Sequence, residues 1–178
     1  MKLEKGLVQI YTGNGKGKTT AAIGQGIRAY GNGLKVKMLQ FLKGGYTGEL
    51  KTIEELGENF KIYRFETKKD FVWNLNEEQI ELLKKEIRMG YNFILERLEK
   101  NDTDVLIIDE IMGVLKNKFL TEEEVLYIIE NKPENMEIIM TGRNVPDKIS
   151  EKADLVTEMK MIKHYYEKGI PSRKGIEF

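Results

Sequence analysis

Short apolar runs alternate with amphipathic stretches along the chain. Residues 7–11 form an apolar run of strand length, and a glycine-rich turn follows it. Residues 19–30 predict a helix, which Gly31, Asn32 and Gly33 stop. Residues 35–42 predict a second strand, 49–56 a short helix and 60–65 a third strand. Residues 66–75 are irregular and aromatic. Ile80, Leu83, Ile87, Tyr91, Ile94 and Leu98 then recur at helical spacing, so a long helix over 77–100 carries one apolar face. Asn76 with Gln79 makes a capping box at its start. Residues 105–108 are continuously apolar, as in a strand covered on both faces. Thr121 with Glu124 opens another capped helix that ends before Pro133, and residues 137–140 and 155–161 complete the strands. Strand alternating with helix predicts a three-layer α/β fold around a mostly parallel sheet.

Composition narrows the partners. The 178 residues suit one domain, 1–178, and no Ser/Gly/Pro-rich linker or internal repeat divides them. Lys plus Arg number 29 and Asp plus Glu 29, a balance that argues against a nucleic-acid or membrane-surface binder. There is no cysteine, which excludes disulfides, thiolate metal sites and thiol nucleophiles. The first residues carry no secretory pattern, and no apolar stretch approaches the ~20 residues of a membrane span. A cytoplasmic location is expected.

The chemistry begins in the turn after the first strand. Gly13, Asn14, Gly15, Lys16, Gly17, Lys18, Thr19 and Thr20 stand between a strand and a helix, the context a phosphate-binding loop requires. Glycines let successive N–H groups point at anionic oxygens, and the following helix presents its positive end there. Lys18 is expected to neutralise phosphate charge, and the Thr19 hydroxyl to coordinate Mg²⁺. Thr12 stands where the usual pattern has its first glycine. Leu106, Ile107 and Ile108 run into Asp109 and Glu110, like the Walker B element that helps hold Mg²⁺. Either carboxylate could meet the metal, directly or through water.

A phosphate loop does not define a reaction. A kinase, an ATPase and a regulatory nucleotide-binding module all remain compatible with these residues. The string Gly13 to Ala22 resembles that of the phosphate-loop corrinoid adenosyltransferases of the cobalamin pathway. So do Gln40-Phe41-Leu42-Lys43-Gly44, Phe71-Val72-Trp73, Ile108-Asp109-Glu110, Thr141-Gly142-Arg143, Ala153-Asp154 and the tail from Lys163-His164 to Phe178. The matches run in order over nearly the whole chain, and the family's loop likewise tolerates the missing first glycine.

The resemblance implies a three-layer P-loop, RecA-like NTPase fold. It implies that ATP and a reduced corrinoid are the substrates and that inorganic triphosphate leaves. ATP then lies reversed in the loop, with the leaving triphosphate in the cradle and C5′ facing cobalt. The nucleophile belongs to the corrinoid, so no Ser, Cys or His nucleophile is needed. Lys16 adds charge to the cradle or is a solvated lysine. Phe71 and Trp73 are implied to approach the corrin, displace the lower axial ligand of cob(II)alamin and so ease reduction to Co(I). A flavoprotein or reduced flavin is the implied electron donor, and a homodimer the implied assembly. The sequence starts a few residues before its first strand, where longer members carry an extension that closes the site, so that lid is expected to be absent.

Three further residues are candidates. Arg143 follows a strand at the carboxyl edge of the sheet, where open α/β folds bind ligands. Arg28 lies on the first helix, as a nucleotide contact or a structural ion pair. His164 is a hydrogen-bonded structural residue or sits over the base or corrinoid.

Overall fold

The computed structural model describes residues 2–67 and 72–177. In chain order its elements are β1 (Val8–Thr12), α1 (Lys18–Gly31), β2 (Val36–Gln40), α2 (Gly48–Glu55), β3 (Phe60–Tyr63), α3 (Glu77–Lys100), β4 (Val105–Asp109), α4 (Ile111–Lys116), α5 (Glu122–Glu130), β5 (Glu137–Thr141), α6 (Asp147–Lys152) and β6 (Leu155–Glu158). Single 3₁₀ turns form at Val72–Asn74 and Tyr165–Lys168. The strands make one sheet in the order β3-β2-β4-β5-β1-β6. Every neighbouring pair is parallel, so the expected mostly parallel sheet is parallel throughout.

A parallel sheet needs cover on both faces, and alternation along the strands divides its side chains between two cores. Val8, Ile10, Leu39, Leu106, Ile108, Ile138 and Met140 face one core, shared with α3, α4, α5 and α6. Val36, Met38, Val105, Ile107 and Ile139 face the other, shared with α1 and α2. All five residues of β4 are buried, as its unbroken apolar run predicts. Each such Ile or Leu removed from water stabilises the fold by roughly 1.5–3 kcal/mol.

The long helix α3 forms as its periodicity predicts. Gln79 N–H donates to Asn76 Oδ1 at 2.9 Å, and Asn76 N–H donates to Gln79 Oε1 at 3.0 Å. Leu83, Ile87, Tyr91, Ile94 and Leu98 make its buried stripe. Glu86 is buried in that stripe too, and accepts from Thr67 N–H and Thr67 Oγ1. The helix thereby fastens the chain that leaves β3. The expected capping box at Thr121 is likewise present.

Several boundaries differ from those expected. β2 ends at Gln40 because Leu42 turns through the left-handed region at φ 55°. β3 ends at Tyr63, after which Arg64 reaches back to Gln40. β6 ends at Glu158, because the next residue joins the glycine loop. Helices α4 and α6 were not expected. Each has six residues, too few to show a period, and α6 buries only Ile149.

Candidate nucleotide site at the carboxyl edge of the sheet

The carboxyl ends of β2, β4, β5 and β1 lie side by side, and the site is built on them. The loop from Gly13 to Gly17 connects β1 to α1. Gly17 reaches φ 119°, a conformation L side chains rarely adopt, and so turns the chain into the helix. Gly15 N–H donates to Met159 O at 2.6 Å. A Cβ at Gly15 would stand 2.6 Å from that same oxygen, so only glycine admits the strap that follows β6. Asparagine and threonine side chains cap α3 and α5, but no side chain caps α1 and no acidic residue stands in its first turn. Its first N–H groups and positive end suit an anion.

Lys18 folds back on the loop, its Nζ donating to Gly15 O at 2.8 Å. Burial pushes the Lys18 ammonium below the usual lysine range. The positive charge of Arg143 adds to this, and Glu110 and Asp109 oppose it. A half-buried cation in that position gains from an anionic ligand.

Asp109, the last residue of β4, is fully buried. A buried carboxylate is tolerated only when it is paired and hydrogen-bonded, and here four groups converge on it. Thr19 Oγ1 and Thr141 Oγ1 donate to Oδ1 at 2.9 and 2.6 Å. Gln40 Nε2 and Lys43 Nζ donate to Oδ2 at 3.2 and 2.8 Å. The Lys43 ammonium also lies 3.3 Å from Thr19 Oγ1. Gln40 is held in turn by Arg64, whose Nε donates to Gln40 Oε1 at 2.8 Å and whose Nη2 donates to Thr47 Oγ1 at 2.7 Å.

Glu110 follows in the left-handed region, at φ 62°, and its N–H donates to Thr141 Oγ1 at 2.9 Å. Burial raises its carboxyl above the ordinary range, and the Asp109 charge adds to that. Lys43, Lys18 and Arg143 oppose it. Three cations and two carboxylates therefore act on one another electrostatically at this edge of the sheet.

The donor set suits a hard divalent cation. Thr19 and Asp109 offer adjacent oxygens, and Mg²⁺ characteristically uses one or two protein ligands with waters and phosphates. Among the described residues, no group of three or more His, Asp or Glu could hold a metal by itself.

The structure brings together the expected loop residues Gly13, Asn14, Gly15, Lys16, Gly17, Lys18, Thr19 and Thr20, the acids Asp109 and Glu110, and Arg143. Lys16 is exposed and lines a shallow cavity of ≈ 320 Å³ with Gly15 and the strap 160–165. His164 is in that strap, its Nδ1 accepting from Tyr166 N–H at 3.1 Å and its ring tilted 45° against that of Tyr165, with centroids 4.6 Å apart. Arg28 is not brought to the loop. It is exposed in the last turn of α1, about 15 Å along the helix from Lys18. Trp73 is 78% exposed, between Val72 and Leu75, which pack on the core. Its ring is therefore not a core side chain. Phe71 lies outside the described residues.

Gln40, Lys43, Arg64 and Thr141 were not expected as site residues. Their signal is positional: Gln40 and Thr141 are polar residues closing apolar strands at the carboxyl edge. Lys43 and Arg64 follow two adjacent strands on the same edge, and nothing local in sequence marks them as partners of Asp109.

Among solved structures, the chain resembles a KaiC-like protein from Pyrococcus horikoshii. The TM-score is 0.52 at 16% identity, over 90% of this chain and 75% of that one. That likeness shows the fold, a three-layer α/β P-loop NTPase architecture. Residues 4–178 match the family model described as ATP:corrinoid adenosyltransferase BtuR/CobO/CobP. A corrinoid adenosyltransferase of Pseudomonas aeruginosa is 33% identical over 98% of this chain and 85% of its own length. One from Escherichia coli K12 is 33% identical over 98% of this chain and 87% of its own. A glycine loop facing the buried Asp109 on this fold, within sequence similarity that runs almost end to end, makes the chain a member of the ATP:corrinoid adenosyltransferase family.

Proposed function

We infer that the 178 residues act as one domain that transfers the 5′-deoxyadenosyl group of ATP to the cobalt of a Co(I) corrinoid, in the making or salvage of adenosylcobalamin. The cobalt electron pair forms a bond to C5′. The C5′–O bond breaks, and its electrons leave with inorganic triphosphate. The observation that carries this reading is the loop itself. Its uncapped helix end and half-buried Lys18 suit a highly charged leaving group, in a chain of this family.

The protein supplies geometry and charge. Loop N–H groups and Lys18 hold the triphosphate and stabilise the charge that builds on it. Arg143 and Lys16 extend the positive rim. Thr19 and Asp109 would hold Mg²⁺, which neutralises phosphate charge, and Glu110 would act beside them through water. Holding ATP with C5′ about 3–3.5 Å from cobalt, in line with the leaving oxygen, makes the displacement effectively unimolecular. Exposed Trp73, with Phe71, would cover the corrin face and shed its lower ligand. A homodimer in the cytoplasm, supplied with electrons by a flavoprotein or reduced flavin, completes the reading by family likeness.

Product analysis tests it. The chain is incubated with ATP, Mg²⁺ and chemically reduced cobalamin. Intact triphosphate with a photolabile cobalt–carbon chromophore is expected. ADP and free phosphate would identify a kinase or ATPase instead. ATP binding without any adenosylated product would identify a regulatory module.

A further inference from the structure

Lys43 is not accounted for by the loop or by the acids. Its ammonium contacts both oxygens that a divalent cation would use, Asp109 Oδ2 at 2.8 Å and Thr19 Oγ1 at 3.3 Å. An ammonium and a metal ion cannot share those positions. The placement is also built, not incidental. Leu42, directly before it, is held in the left-handed region at φ 55°, which for a branched residue is a cost that surrounding contacts must offset. Phe41, one residue earlier, donates its N–H to Asp109 O at 3.0 Å and is buried. The Lys43 N–H points to Glu66 Oε2 at 3.3 Å, and Arg64 ties the following loop through Thr47.

We propose that Lys43 is an internal counter-cation of Asp109 that competes with the divalent ion for Thr19 and Asp109, and that it passes to the nucleotide's phosphates when the metal and nucleotide enter together. The inference rests on the metal-site reading of Thr19 and Asp109. The competition keeps a fully buried carboxylate paired at every stage. It also makes the site poor for a metal alone and good for a metal that arrives with polyphosphate, because only the polyphosphate offers the ammonium a new anionic partner.

The test is Mn²⁺ binding to the nucleotide-free chain, followed by loss of the free-ion EPR signal. Lys43→Met and Lys43→Gln are both expected to bind Mn²⁺ at least tenfold more tightly than the wild type. The same variants are expected to bind ATP with Mg²⁺ at least tenfold less tightly. A residue that merely supports the fold would weaken both. Equal or weaker Mn²⁺ binding in the variants overturns the competition, and unchanged ATP affinity overturns the transfer to phosphate. Lys43→Gln keeps a polar side chain against Asp109 and carries the test if Lys43→Met does not fold. Thr19→Ala and Asp109→Asn, made in the Lys43→Gln chain, separate the two layers. If neither weakens Mn²⁺ binding, the metal-site reading itself fails. If both weaken it while Lys43→Gln alone gives no gain, the metal site stands and only the counter-cation role is lost.

Discussion

Thr19 Oγ1 donates to Asp109 Oδ1 at 2.9 Å, joining the first turn of α1 to the end of β4 across 90 residues of sequence. The pair meets because β1 and β4 are parallel strands of one sheet, separated only by β5. Thr141, at the end of that intervening strand, completes the arrangement. Its hydroxyl donates to Asp109 and accepts from Glu110 N–H.

Thr141→Val keeps the shape and removes both bonds from a fully buried position. Leaving such groups unsatisfied costs about 1–3 kcal/mol. Denaturant unfolding is expected to show a loss in that range, with an unchanged dependence on denaturant concentration. Adenosylation should fall as well, because Asp109 and Glu110 lose a common anchor. Wild-type stability in this variant would mean that Thr141 orients neither acid.

Lys18→Ala removes an ammonium that burial and Arg143 already disfavour. The fold therefore has little to lose, and the melting temperature should stay level or rise. Turnover should fall on the order of 10²–10³-fold, the usual cost of deleting one group that stabilises developing charge. A variant with near-normal rate would refute the assignment of the loop to the triphosphate.

Much of this was legible in the sequence, for local reasons. The α3 period, the two capping boxes and the apolar run of β4 are each decided within a few residues, and the structure has them in place. The loop was legible because glycine spacing encodes backbone shape. The partners of Asp109 other than Thr19 were not. Gln40, Lys43 and Thr141 become neighbours only through strand order, β2-β4-β5, which no local pattern specifies. Arg28 shows the converse. It is a basic residue on the helix that the loop opens, but it stands in the last turn rather than the first.

Glu110 gives a pH dependence of defined sign. Burial, with the Asp109 charge, raises its folded value above the ordinary 4.5. Below that ordinary value both folded and unfolded chains hold the proton, and its stabilising contribution is complete. As pH rises, the unfolded chain releases the proton first, and the contribution is lost as pH passes through the raised folded value. Glu110→Gln cannot charge. Its stability relative to the wild type should therefore increase with pH from about 4.5 upward and then level off. A flat difference across that window, followed by denaturant unfolding at fixed ionic strength, would place the Glu110 carboxyl in a solvated setting. The same variant should lose activity if the carboxylate acts near the metal.

Trp73 separates the two stages of the reaction. It is the only tryptophan, and its ring is exposed while Val72 and Leu75 on either side are packed. Trp73→Ala should thus leave the unfolding free energy within about 0.5 kcal/mol of the wild type, as for a surface change. If the ring covers the corrin and helps remove its lower ligand, its loss affects reduction of cob(II)alamin before it affects alkyl transfer. Adenosylation that starts from cob(II)alamin with an enzymatic reductant should fall at least tenfold. Adenosylation of preformed cob(I)alamin should fall several-fold less. The spectrum of cob(II)alamin mixed with protein and ATP should also lose the four-coordinate signature in the variant. Equal losses by both routes would make Trp73 a binding surface for the corrin with no part in shedding its ligand.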